Sequence, residues 1–319
     1  MGLSIGIDVG GTKIAGGVVD SSGRIIARVR RPSPADDAEA IVDEIVGIAK
    51  DLASSHEVHS IGIGAAGFVG KDRRTVLFAP NIAWRDEPLA DRVESALNLP
   101  TIIENDANAA AWGEYSHGVA TNAESIVFVT LGTGVGGGII IDGQLLRGSN
   151  GFAGEIGHMN LIPDGVKCGC GSRGCWEQYS SGTALVRMAR EAAMEAPDRA
   201  QTLLSLAGGN PAKITGRFVT QAARMGCRVA RKAFDQAGRY VGIALADLVS
   251  ILDPDMFVLA GGLSEAGSLI RNPAEEAFMD QQVGGDYRPA IPIVTAKLGN
   301  NAGMIGAADL ARRAFDGIR

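Results

Sequence analysis

The chain opens on short apolar runs broken by glycine. "LSIGIDVG" at 3–10 reads as a strand, "TKIAGGVVD" as its hairpin partner, and "RIIARVR" after the turn "SSG" as a third strand. Residues 36–54 change period: Ala38, Ile41, Val42, Ile45, Ile48, Ala49 and Leu52 fall on one helical face. "SIGIGAAG" is the next buried strand, residues 86–98 a second amphipathic helix, and "TIIE" at 101–104 another strand. Three strands followed by strand–helix alternation predict a mixed sheet with helices on its faces.

The pattern then returns. "SIVFVTLG" is a strand, "GTGVGG" a glycine turn, "GIIIDG" the hairpin partner and "QLLRG" a third short strand. The glycine turns at 8–13 and 131–138 hold equivalent places in two β-β-β openings, which predicts an internal duplication of fold with little shared sequence. Later come a cysteine loop, several helices, the strand–turn–helix "MFVLAGGLSEA", a last strand "IPIVTAKL" and a final helix over 302–317. The linker-like "LAGGNPAKITG" is expected to join helices.

A length of 319 residues exceeds what one core usually serves, so two domains are expected. A net charge of −6 argues against a nucleic-acid surface. No apolar run has membrane-spanning length and no signal segment opens the chain, so a cytoplasmic protein is expected. Glycine is abundant, 44 residues, and its clusters in "DVGGTK", "GIGAAG", "LGTGVGGG" and "LAGG" each touch an apolar β-like run, which points to turns where backbone approaches a ligand.

Candidate chemistry gathers at those turns. In "DVGGTK", Gly10 and Gly11 permit a turn whose N–H groups face an anion, and Thr12 adds a hydroxyl. Asp8 suits the Mg²⁺ that accompanies a nucleotide. Gly132, Thr133 and Gly134 repeat the mixture, and Gly261 and Gly262 would let an adenosine lie against backbone. The P-loop spacing is absent, and a strand follows the first turn where a dinucleotide fingerprint needs a helix.

At "IENDANAAAWGEY" a strand ends and a helix begins near Asn105, with Glu104, Asn105, Asp106 and Asn108 crowded together. Asp106 in a first helical turn is favoured by the dipole. It can equally accept a proton from a substrate hydroxyl attacking a γ-phosphorus, with Asn105 on a neighbouring hydroxyl. His158 precedes Cys168, Cys170 and Cys175, a Cys₃His set that fits a closed tetrahedral Zn²⁺ site, structural rather than catalytic. Glu155 and Glu177, with the second ring nitrogen of His158, would make good partners for sugar hydroxyls. Cys227 reads as a small buried residue.

"DVGGTK", "END", "LGTGVGGG", "GEIGH", "CGCGSRGCWE" and "LAGG", in that order, resemble the ROK family (repressors, open reading frames, kinases) along essentially the whole chain. "PNIAW" at 80–84 adds a resemblance to its glucose-phosphorylating members. The resemblance implies an α/β actin-like ATPase/hexokinase-type fold. Its two lobes, each on a mixed sheet, would be 1–108 with 303–319, and 109–302, closing over a cleft. It implies ATP-dependent phosphorylation of glucose at the 6-hydroxyl. Position by position, Asp106 matches the catalytic base. Gly67, Asn105, Glu155, His158 and Glu177 match sugar-binding positions, and His158, Cys168, Cys170 and Cys175 the zinc ligands. Asp8, Gly10, Gly11, Thr12 and Lys13, with Gly132, Thr133, Gly134, Gly261 and Gly262, match the nucleotide-binding turns.

ATP with Mg²⁺ and a structural Zn²⁺ are therefore the expected cofactors, and a homodimer or homotetramer the expected assembly. Another hexose or N-acetylhexosamine, or polyphosphate as donor, would use nearly the same residues. A sugar-responsive regulator of the family would carry a DNA-binding segment ahead of the first strand, where only two residues stand here.

Overall fold

Ile5, Ile7 and Val9 alternate into a buried strand, β1 (Leu3–Val9), which turns at glycine into β2 (Lys13–Val19) and then β3 (Ile25–Pro32). The computed structural model describes residues 2–317; Met1, Ile318 and Arg319, at the outer ends of the expected first lobe, lie outside the described residues. Helix α1 (Ala38–Ala53) starts where the Asp37 carboxylate accepts the N–H groups of Glu39 and Ala40, and buries the predicted Ile41–Leu52 face. Strand β4 (Val58–Ala65) follows.

The chain next forms a small sheet that periodicity does not predict: β5 (Phe68–Val69), β6 (Val76–Phe78) and β7 (Arg85–Glu87), in that order. These strands are two or three residues long, too short for an alternation to register. Consequently the helix expected over 86–98 is shorter, α2 (Leu89–Leu97), ending on Asn98 in the left-handed conformation. Strand β8 (Thr101–Asn105) and helix α3 (Asp106–His117) complete the first motif. The sheet order is β3-β2-β1-β4-β8, antiparallel among the first three strands and parallel from β1 through β4 to β8.

The second motif holds β9 (Ile126–Leu131), β10 (Val135–Ile141) and β11 (Gln144–Leu145). Helices α4 (Glu177–Ser180), α5 (Gly182–Glu195), α6 (Gln201–Leu206), α7 (Gly216–Arg224) and α8 (Arg228–Leu252) follow. Strand β12 (Met256–Ala260), helix α9 (Ser268–Gln281), strand β13 (Ile293–Thr295) and helix α10 (Ala302–Asp316) end the chain. The order β11-β10-β9-β12-β13 repeats the arrangement of the first sheet, which is the expected duplication. "LAGGNPAKITG" does join two helices, α6 and α7.

By packing, the chain divides into two compact units. One is Met1–Phe128 with Gly137–Gly154 and Ala296–Arg319; the other is Val129–Gly136 with Glu155–Thr295. The expected division at 108/109 falls inside α3, which packs closely on α10 within the first unit. A Cβ on Gly306 would stand 1.8 Å from the Ala109 carbonyl oxygen, and one on Gly113 2.4 Å from that of Ala302. The same helix lies on the sheet: a Cβ on Gly6 would stand 1.9 Å from the Met304 oxygen, and one on Gly62 1.8 Å from that of Ala307. Only glycine lets these backbones approach so closely.

A buried carboxylate completes the contact. Asp309 takes the Trp112 indole N–H at 2.8 Å, lies 3.0 Å from His117 Nε2, and pairs with Arg312 and Arg313. Burial would raise its pKa, but the bonds from His117 and Trp112 and the two guanidinium charges outweigh burial and hold it at about 2. A depressed carboxylate stabilises the fold above its unfolded pKa and loses that contribution as pH falls through the folded value.

Two outcomes are expected. Gly306→Ala, which on helix propensity alone would add about 1 kcal/mol of stability, should instead cost about 3 kcal/mol or more through overpacking, read as a lowered Tm. Stability from urea titration should fall by about 2 kcal/mol between pH 5 and pH 2 on account of Asp309, and Asp309→Asn should remove that part of the pH dependence.

Candidate functional site

The parallel register of β1, β4 and β8 sets Asp8 opposite Gly64, and Gly64 and Ala65 opposite Glu104 and Asn105. Asp8 and the start of α3 therefore share the carboxyl edge of the first sheet, where α/β proteins bind ligands. Gly303, at the start of α10, faces both: its Cβ would lie 3.4 Å from Asp8 Oδ1 and 3.9 Å from the Asp106 carbonyl oxygen. Burial raises the Asp8 carboxyl, and the nearby Lys13 charge partly offsets it. The turn between β1 and β2 closes through the Gly10 N–H, which donates to the Lys13 carbonyl at 3.0 Å.

Asn105 caps α3. Its Oδ1 accepts the Asn108 N–H at 3.0 Å, and its Nδ2 donates to the Gly67 carbonyl at 3.1 Å. Gly67 is packed against Phe78 and Ala79, where a Cβ would stand 2.6 Å from the Phe78 oxygen. Asp106 Oδ1 accepts the Ala107 N–H at 2.9 Å. Behind these residues Glu104 is buried, held by Arg147 Nε at 2.7 Å with Arg73 nearby. Sequence reasoning gathered Glu104 and Asn108 with Asn105 and Asp106 but gave neither a role, and it missed both arginines. Their positions in short turns carry no periodic signal.

In the second unit, the turn at 131–134 closes through Gly132 N–H to the Gly134 carbonyl at 2.9 Å. The start of α5 docks on it: Gly182 N–H donates to the Gly132 carbonyl at 2.8 Å and the Thr183 hydroxyl to the Thr133 carbonyl at 2.7 Å. Gly261 has φ +83° and packs where a Cβ would meet the Leu131 carbonyl at 2.5 Å, while Gly262 faces open space. Gly132, Thr133 and Gly262 border one cavity of about 1780 Å³, whose other walls include Thr183, Arg190, Thr215 and Glu265. Its size exceeds the usual range for a small-molecule site. The α5 and α7 walls were not singled out in the sequence, because their residue types are those of any amphipathic helix.

The cysteine loop folds back on itself by pairing Asn160 with Cys175 and Lys167 with Arg173. The His158, Cys168, Cys170 and Cys175 ligand atoms all lie within 4.8 Å of one another. Cys170 and Cys175 sulfurs are 3.6 Å apart, and His158 Nδ1 is 3.7 Å from Cys168 Sγ. Tetrahedral Zn–S bonds of about 2.3 Å put sulfurs about 3.8 Å apart, so the set fits a tetrahedral ion. Burial pushes the Cys168 thiol up to about 12. Glu177 Oε1 accepts from Cys168 at 3.1 Å, and its Oε2 lies where a Cβ on Gly134 would come within 2.5 Å. Glu155 has its pKa raised, chiefly by burial, with His158 lowering it and Glu177 raising it further.

The predicted residues thus fall into two groups. Asp8, the first glycine turn, Gly67, Asn105 and Asp106 belong to the first unit; the second and third turns, Glu155, His158, Glu177 and the cysteines belong to the second. No helix among the described residues is long and apolar enough to cross a membrane.

The sequence profile of the ROK family matches residues 4–314. A Streptomyces coelicolor glucokinase is 51% identical over 98% of this chain and 98% of its own. The crystal structure of a ROK family glucokinase from Streptomyces griseus, in complex with glucose and AMPPNP, superposes with a TM-score of 0.88 at 50% identity, covering 98% of this chain and 100% of that one. The xylose repressor of Bacillus subtilis is 30% identical over 97% of this chain and 77% of the repressor. The duplicated mixed sheets flanked by helices are the actin-like, hexokinase-type fold. With the profile spanning nearly all of it and the glycine turns, the Asn105–Asp106 junction and the Cys₃His cluster formed in three dimensions, this chain belongs to the ROK family.

Proposed function

We propose that this protein is a glucokinase, transferring the γ-phosphoryl group of ATP to the 6-hydroxyl of glucose. Full-length identity of 51% to a glucokinase carries the reading, together with a structural relative of 50% identity that binds glucose and AMPPNP. In this reading Asp106 takes the proton of the 6-hydroxyl as its oxygen bonds to the γ-phosphorus, the bond from phosphorus to the β-bridging oxygen breaks, and ADP leaves. Asn105 holds a neighbouring hydroxyl with what its amide has left after capping α3 and bonding Gly67. Glu155, His158 and Glu177 take other sugar hydroxyls, and Gly67 lies beside the ring.

Turn closure uses the Gly10 and Gly132 N–H groups, so anion contacts fall to Gly11, Thr12, Thr133 and Gly134. Lys13 adds positive charge beside Asp8. The 1780 Å³ cavity with Gly261 and Gly262 at its edge suits the nucleoside. Asp8 would hold Mg²⁺ directly or through water, and the ion when bound neutralises charge on the β- and γ-phosphate oxygens.

The Cys₃His set is assigned a structural Zn²⁺, whose role is to fix the loop bearing His158 and Glu177. Cysteines gathered as a metal-ligating cluster are in keeping with a cytoplasmic setting, which belongs to this reading. A homodimer or homotetramer belongs to the same reading, supported by large apolar side chains left exposed at Ile251, Met279, Val283 and Tyr287.

Asp106→Ala should lower kcat by about 10²–10⁴-fold with an unchanged circular-dichroism spectrum, in an assay of sugar-phosphate formation run over glucose, mannose, fructose and N-acetylglucosamine with ATP and polyphosphate compared. Near-normal turnover would remove Asp106 as base, and preference for another sugar would redirect the assignment. Metal analysis should find one zinc per chain, and exposed Cys170, changed to Ser, should lose it with a lower Tm.

A further inference from the structure

Glu104 is 4% exposed, and each of its oxygens has distinct partners. Oε2 accepts Arg147 Nε at 2.7 Å and lies 3.7 Å from Arg73 Nε, an ion pair too long for a hydrogen bond. Oε1 accepts the Asn105 backbone N–H at 3.2 Å and the Asn108 side-chain amide at 3.2 Å. One buried carboxylate thus joins two guanidinium groups on one side to the cap of α3 on the other.

The arginines come from two loops that are themselves fixed. Arg73 has a left-handed backbone at φ +56°, and its carbonyl accepts the Ile103 N–H at 2.9 Å. That places a strained, bulky residue against β8, a cost that persists only where its surroundings impose it. Arg147 opens the loop 147–154, which closes on itself through Ala153 N–H to the Arg147 carbonyl at 3.1 Å. The loop packs Phe152 edge-on to Phe68 at 5.1 Å, and a Cβ on Gly151 would stand 2.3 Å from the Val69 oxygen. Its last residue, Gly154, sits where a Cβ would lie 3.4 Å from Asn108 Oδ1. The next residue along the chain is Glu155.

Removing the carboxylate would leave the largely buried Arg73 guanidinium, and the partly exposed Arg147 beside it, without a counter-charge. Burial already lowers Arg73 to about 10, with Arg147 repelling it and Glu104 partly restoring it. Glu104 does not face the sugar-binding side of Asn105 through its own contacts; it holds that residue by its main chain.

We propose that Glu104, anchored by Arg147 and Arg73, is a positioning residue for the Asn105–Asp106 pair and ties the loop 147–154 to it. The assignment rests on the glucokinase reading of those two residues. Glu104 acts through its bonds to the Asn105 N–H and the Asn108 amide, so that loosening it tilts the cap and moves the base relative to the acceptor hydroxyl. A displacement of about 1 Å at such a site can cost about 10²-fold.

The test uses Arg147→Met, which keeps the stem and removes the charge, Arg147→Lys, which returns the charge, and Glu104→Gln. Wild type and variants are compared for kcat, for KM of glucose and of ATP, and for Tm. Arg147→Met is expected to lower kcat by about 10- to 100-fold and to raise the glucose KM, with the ATP KM within about twofold of wild type. Arg147→Lys is expected to recover part of the loss, and Glu104→Gln to reproduce the Arg147→Met pattern on whatever fraction folds. A folded Arg147→Met enzyme with kcat and glucose KM like wild type overturns the proposal, as does a loss that tracks only the lowered Tm and spares both KM values. Wild type without activity on glucose would overturn the glucokinase reading and this assignment with it; active wild type with unaffected variants overturns the assignment alone.

Discussion

The backbone of α10 touches the backbones of β1, β4 and α3, and the first unit is arranged around that contact. Gly6, Gly62, Gly113 and Gly306 are each placed where a Cβ would come within 2.5 Å of a carbonyl oxygen. Side chains do not set the spacing here, so it cannot relax by a rotamer change. Its consequence reaches the site: Gly303 stands at the start of the same helix, against Asp8 and the Asp106 carbonyl. The buried Asp309 cluster then locks rotation of α10 on α3 through Trp112 and His117. The strand ends that carry the candidate chemistry are positioned by a helix formed from the last residues of the chain.

Polar groups at the α3 junction serve structure and, in the glucokinase reading, chemistry as well. Asn105 spends Oδ1 on the helix cap and one Nδ2 hydrogen on Gly67, which fixes its orientation before a ligand arrives. A residue so held offers its second hydrogen and second lone pair in known directions. That is preorganisation obtained from ordinary capping. A capping role for Asn105 and the proposed catalytic role for Asp106 are therefore compatible, because the cap fixes the first turn of α3, which carries Asp106.

Much of this was legible in residue order. The three-strand openings, the α1 face from Ile41 to Leu52 and the clustered cysteines carry strong local signals, and the duplicated sheet order follows from them. What escaped reading has a common physical cause. The β5–β7 sheet is made of strands too short to alternate, and the last strand shrinks from "IPIVTAKL" to Ile293–Thr295. Arg73 and Arg147 converge on Glu104 across 31 and 43 residues, a coincidence of folding that no local window holds. The expected cut at 108/109 falls within α3 because α3 follows β8 in sequence, while by packing it meets a helix nearly two hundred residues later.

The two glycine turns also show where a motif under-specifies its chemistry. "DVGGTK" and "LGTGVGGG" look alike as sources of N–H donors, yet in each the leading glycine closes the turn: Gly10 bonds to Lys13 and Gly132 to Gly134. The second turn is further committed, since its Gly132 and Thr133 carbonyls receive the start of α5. Its position is thus inherited from a helix that also lines the 1780 Å³ cavity. The first turn is held differently: Ser33 N–H on the Thr12 carbonyl at 3.2 Å ties it to the end of β3, and a Cβ on Gly11 would stand 3.1 Å from the Asn81 carbonyl oxygen. In the glucokinase reading, phosphate contacts on the two turns would accordingly respond to different parts of the fold: the first to the β2–β3 edge, the second to the α5 wall of the cavity.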